Sequence, residues 1–204
     1  VNSGIILLAA AAYALASAAA TISLAEFVPR PDGAKPRGGY SAHMFCALGA
    51  AIAGAALAAR GMPGETLFVT CLAVVALTAV AYAGFFCDGA PVDVPLGALA
   101  IVSIASVIHG LWSPLVAALV TGTPFLITAI VAPDKRSSLR DGAVAAIGGS
   151  ILGLKFGVGA TLLGSVAGAI SFSTAATRLK SQSYAPYLAC AFGIGIVAFA
   201  FFAT

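Results

Sequence analysis

The chain has 204 residues, 61% of them hydrophobic and 8% charged, with a formal net charge of +3. A soluble domain carries about 25% charged residues, and a water-soluble fold of this size has too much surface to hide so much apolar chain. The composition excludes a soluble globular enzyme and leaves a bilayer as the solvent. No basic run is interleaved with aromatics, so no nucleic-acid partner is implied.

A membrane-spanning helix needs about 20 mostly apolar residues. Apolar stretches fall at 4–24, 42–60, 66–86, 95–110, 113–131, 142–156, 158–176 and 185–203. They predict an all-α polytopic helix bundle of about eight spans in contact with lipid, a single transmembrane domain over 1–204. The first stretch, Ile5 to Leu24, has no basic residues ahead of it and no clear cleavage site, so it reads as a span rather than a secretory leader. Segment 25–41 follows, with Pro29, Pro31, Pro36 and Gly38-Gly39, and reads as a short loop. The stretch 142–176 is too long for one ordinary span, and Lys155-Phe156-Gly157 is its predicted turn. A seven-span reading, with one tilted helix there, is the alternative. Small residues at Gly149-x-x-x-Gly153 and Gly164-x-x-x-Gly168 predict close helix packing.

Basic residues orient such a bundle. Arg30, Lys35 and Arg37 lie in 25–41, Lys135, Arg136 and Arg140 in 132–141, and Arg178 and Lys180 in 177–184. With eight spans these loops share one side, and only Arg60 and Lys155 fall on the other. The positive-inside rule makes the basic side cytoplasmic and puts both termini outside. With seven spans, Arg178 and Lys180 would change sides.

The acidic residues are Glu26, Asp32, Glu65, Asp88, Asp93, Asp134 and Asp141, and all but Glu65 fall on the predicted cytoplasmic side. Asp141 opens the sixth span, near Ser137 and Ser138, and reads locally as a helix cap. Asp93 reads as the cap of the fourth span before Pro95. Asp88 follows Phe85-Phe86-Cys87 with no basic residue within ten positions on either side. A carboxyl near membrane depth without a cation is a functional candidate. Two carboxyls on neighbouring helix ends can share a proton, one serving as general base on water and the other as general acid.

The stretch Asp88-Gly-Ala-Pro-Val-Asp-Val-Pro95 resembles the first catalytic motif of the type IV prepilin peptidases, an Asp, five residues, then Ile/Val-Pro opening a helix. Ser183-Tyr-Ala-Pro-Tyr-Leu-Ala189 is similar to that family's Pro-Phe-Gly-Pro-Tyr-Leu-Ala segment. The second family motif, Gly-x-Gly-Asp-x-Lys, aligns with Ser138-Leu139-Arg140-Asp141, which keeps the Asp but lacks both glycines and has Ala143 in the Lys position. An alternative alignment on Gly157-Val158-Gly159-Ala160 keeps the glycines and loses the Asp. The resemblance covers roughly 40–204, and segment 25–41 stands where bacterial members have a larger cytoplasmic loop. It implies an aspartic endopeptidase of the bacterial inner membrane, with Asp88 and Asp141 catalytic and a basic prepilin leader as substrate. It implies no cofactor and no metal, since the family's cytoplasmic cysteine motifs are missing. The degenerate motif opens a second expectation, an inactive homologue acting as a subunit of a larger membrane complex.

The remaining polar residues are read as structural. Cys46, Cys71, Cys87 and Cys190 stand singly, as small hydrophobes do. His43 and His109 have no partner in sequence register. Trp112 and Tyr82 suit an interfacial aromatic belt. A small transporter is a third possibility, disfavoured by the scarcity of intramembrane polar groups.

Overall fold

The computed structural model describes residues 3–27, 39–87, 92–131, 135–174 and 183–202. Asp88 lies outside the described residues, as do Asp32, Asp134, Arg30, Lys35, Arg37, Arg178 and Lys180. The described residues form helices and no strand: α1 (Ser3–Phe27), α2 (Gly39–Ala59), α3 (Gly64–Phe86), α4 (Asp93–Ile108), α5 (Trp112–Val131), α6 (Lys135–Thr174) and α7 (Ala185–Phe202). α1, α2, α3, α5 and α6 are long and apolar enough to cross a membrane, and α4 and α7 are apolar but shorter. A helix is the element that satisfies its own backbone where no water is at hand. The outer surface matches that solvent, with Leu7, Leu8, Leu15, Ile130 and Val131 all exposed.

α3 is the central helix and packs against α1, α2, α4, α6 and α7. It buries ten residues, Val69 through Ala83, on more than one face. Lipid is as apolar as the core, so van der Waals fit and interhelical hydrogen bonds hold such helices together. Tyr13 supplies both. Its ring rests where Gly54 leaves room, and its hydroxyl donates to the Leu67 carbonyl at 2.8 Å and pairs with Thr70 Oγ1 at 2.7 Å. One side chain thereby joins α1, α2 and α3.

Seven helical elements stand where about eight were expected, because 142–156 and 158–176 run into one another without a connecting loop as one element, 135–174. That element nevertheless doubles back. Gly153 has φ 68° and ψ −177°, a conformation essentially confined to glycine. Beyond it the second arm returns along the first, so that the Gly157 α-hydrogen faces the Gly149 backbone. The predicted turn at Lys155-Phe156-Gly157 is thus displaced to Gly153. Gly153 itself is a reversal point, not the packing glycine predicted. Gly164 and Gly168 do pack, against Leu188 and Tyr184 of the segment leading into α7. At 1.5 Å per residue each arm is about 27–32 Å long, close to the roughly 30 Å apolar thickness of a bilayer. Replacing Gly153 by Ala forces a side chain into that backbone region, and a loss of about 1–3 kcal/mol is expected. Detergent-solubilised protein unfolded with increasing SDS should report it, and an unchanged midpoint would refute the strain.

Because α6 doubles back, its two ends meet at one end of the bundle. Asp141 and Gly168 both lie against Tyr184. The same end holds the finish of α3, where Gly84 packs on Pro186 and Phe85 stands edge-on to Tyr187 with ring centres 5.6 Å apart. At the opposite end the Arg60 guanidinium donates to the Phe199 carbonyl at 2.6 Å and lies over the Phe199 ring. Phe156, beside Lys155, packs on that ring. Arg60 closes the C-terminal part of α7, where a cation is favoured by the exposed carbonyls.

Candidate functional site

Asp141 was expected at the start of its own helix. The structure corrects this: α6 begins at Lys135, so Asp141 sits one to two turns inside it. The polar turn 135–141 is helical although it is not apolar. Asp141 caps a different helix. Its Oδ1 accepts from Ser183 Oγ at 2.7 Å and from the Ala185 N–H at 2.8 Å, and its Oδ2 accepts from the Tyr184 N–H at 3.2 Å. The first N–H groups of a helix have no partner within it, and a carboxyl oxygen is well suited to that end. Pro186, in the first turn of α7, has no N–H to satisfy and suits this position.

Asp141 is 3% exposed. It is enclosed by small neighbours, Gly142 and Ala143 on its own helix and Ala185 across from it, the last two also buried. Arg140 reaches the same place. Its Nε donates to Ser183 Oγ at 3.0 Å, so the guanidinium engages the Ser183 hydroxyl that also holds Asp141. Arg140, adjacent to Asp141 in sequence, is thus linked to the same carboxyl through the Ser183 hydroxyl. Ser183 itself was not singled out, although a Ser just ahead of an apolar helix is a capping signal. It stands where the resembled family has Pro.

The structure therefore brings together two of the segments that carried the resemblance, 138–141 and 183–189, which lie more than forty residues apart. It also brings the finish of α3, the stretch just ahead of Asp88, against the same turn of α7 through Gly84 and Phe85. Asp93 is less of a cap than expected. It heads α4 from within the first turn, and Val92, at the capping position, makes no side-chain cap bond.

Both histidines acquire partners that sequence register did not show. His43 Nδ1 lies 3.1 Å from Thr21 Oγ1, and the ring stacks on Tyr82 with centres 4.7 Å apart. Tyr82 is buried, not interfacial, and packs on Phe86 near the end of α3. His109, at the far end of the bundle, lies 3.5 Å from Glu65. Among the described residues no three His, Cys, Asp or Glu side chains converge as metal ligands. Between α2, α3 and α7 runs an open, almost wholly apolar groove of about 790 Å³, lined among others by Cys46, Gly49, Thr78, Phe85, Cys190 and Gly193.

No family model matches this chain, and no curated protein or solved structure shows detectable similarity to it. The chemistry of the site accordingly rests on its own geometry. Asp141 is a buried carboxyl, held by three donors, at the junction of α6, α7 and the end of α3. Such a group can fix a helix end, and a carboxyl with an acceptor position left open can also take a proton from water.

Proposed function

We propose that the chain is a prepilin-peptidase-like aspartic endopeptidase of a bacterial inner membrane. Its substrate is a membrane precursor with a basic leader, cut at the cytoplasmic face. Both termini then lie outside, and the α6–α7 junction faces the cytoplasm beside the basic loops. One observation carries the reading. The Asp141 carboxyl and the last turn of α3 both abut the 183–187 turn, and Asp88 follows α3 by two residues in sequence. In the proposed chemistry one carboxylate takes a proton from water as the water oxygen adds to the scissile carbonyl. The other carboxyl gives its proton to the departing amine. No metal and no covalent intermediate enters. The acidic pair also attracts the positive leader.

The three donors on Asp141 favour a second reading. A carboxyl so occupied serves as a structural clamp, and the chain would then be a non-catalytic homologue within a larger membrane assembly. The two readings part in one experiment. Membranes carrying wild type, Asp88→Asn or Asp141→Asn are given a prepilin-type precursor, and leader removal is followed by gel shift. The peptidase reading expects each substitution to slow cleavage by about 10²-fold or more. Wild-type rates in both variants, or no cleavage by wild type, would remove it and leave the assembly role, for which stable co-purification with other membrane subunits is the expected result.

A further inference from the structure

Ser183 is more than a neighbour of Asp141. Its hydroxyl oxygen receives Arg140 Nε at 3.0 Å and, at 3.2 Å, the longer branch of the one Ala185 N–H that it shares with Asp141 Oδ1. A hydroxyl has two acceptor lone pairs and one proton. With both lone pairs engaged, the proton has one place to go, and Asp141 Oδ1 stands 2.7 Å away. Arg140 cannot accept a hydrogen bond, so the hydroxyl cannot turn toward it. The guanidinium, by donating to the Ser183 oxygen, therefore helps set the direction of the Ser183 O–H toward Asp141.

The consequence falls on Asp141. Oδ1 accepts two short bonds, from Ser183 Oγ and the Ala185 N–H, and both its lone pairs are used. Among the described residues, Oδ2 accepts a single, longer bond, from the Tyr184 N–H at 3.2 Å. The two oxygens of one carboxyl are thus made unequal. We propose that Arg140 and Ser183 are positioning residues that lock the Asp141 carboxyl with Oδ2 as its proton-exchanging oxygen. The catalytic consequence rests on the peptidase reading; the locking of the carboxyl does not.

The test uses the full chain in lipid nanodiscs. Ser183→Ala removes the hydroxyl, Ser183→Thr keeps it, and Arg140→Gln removes the charge that orients it. One readout needs no activity: the infrared bands of the Asp141 carboxyl, isolated by subtracting the Asp141→Asn spectrum. Ser183→Ala and Arg140→Gln are expected to shift these bands, and Ser183→Thr to leave them in place. Unshifted bands in Ser183→Ala, or an equal shift in Ser183→Thr, would overturn the locking. The second readout is cleavage of a prepilin-type precursor. Ser183→Ala should lower kcat about tenfold with KM little changed, and Ser183→Thr should restore it. A wild-type kcat in Ser183→Ala alongside shifted bands would overturn the positioning role. Should wild type itself leave the leader uncut, the peptidase reading fails and the spectra alone decide the locking.

Discussion

Asp141→Ala is expected to destabilise the bundle by about 2–4 kcal/mol, the cost of leaving several buried donors unpaired. The substitution removes the acceptor for Ser183 Oγ and for the Tyr184 and Ala185 N–H groups together. The carboxyl is 3% exposed, so the three donors it releases lie inside the packed α6–α7 junction. Asp141→Asn should cost less, about 1–2 kcal/mol. Its amide oxygen can take the place of Oδ1, but its NH2 then faces the Tyr184 N–H, donor against donor. SDS-induced unfolding followed by tryptophan fluorescence from Trp112 would read both values. If Ala is tolerated as well as Asn, the carboxyl is not the clamp between α6 and α7. The order Asp, Asn, Ala is informative beyond stability, because it separates variants that lose cleavage through misfolding from those that lose it through chemistry.

A second large effect is expected at Gly148. A methyl group there would overlap the ring of Phe192, which is fully buried. Backbone and ring both lie inside the α6–α7 contact, so neither can yield without separating the helices. Overpacking of this kind costs about 1–3 kcal/mol, and Gly148→Ala should fall in that range. Two controls sharpen it. Gly49 and Gly193 face the open groove with nothing within 4 Å of an added Cβ. Ala at either position should be neutral or gain up to about 1 kcal/mol from helix propensity. The pair Gly148→Ala with Phe192→Leu should recover part of the loss if overlap with the ring is its cause. Equal effects at 148 and 193 would show that the cost is generic to glycine replacement.

The helical membrane character is readable from composition, because lipid leaves a backbone few ways to satisfy itself. The order of the helices follows from the same apolar stretches. What went astray did so for physical reasons. Position 142 marks where polarity ends, but the helix begins at Lys135, because a polar turn at a membrane edge is as helical as the apolar turns beyond it. The charge of Lys155 points to a turn at Lys155-Phe156-Gly157. The backbone needed a residue tolerant of positive φ, and Gly153 met that need. Asp141 was legible as a candidate through its motif, but its partners were not. Ser183, Tyr184 and Ala185 come from a different helix end, and no periodicity links residues so far apart. The pairing of His109 with Glu65 is hidden for the same reason: it depends on which helix ends are neighbours, not on spacing along the chain.

The loop-free doubling of α6 also bears on how the protein is made. Two arms joined by a single glycine are expected to enter the bilayer together, as a folded pair. Lys155 stands two residues from the reversal point, and in the orientation proposed above it crosses the hydrocarbon to reach the far surface. A charge of this kind costs about 2.5–3.5 kcal/mol at mid-bilayer on insertion scales, and the surrounding apolar chain must offset that cost during biogenesis.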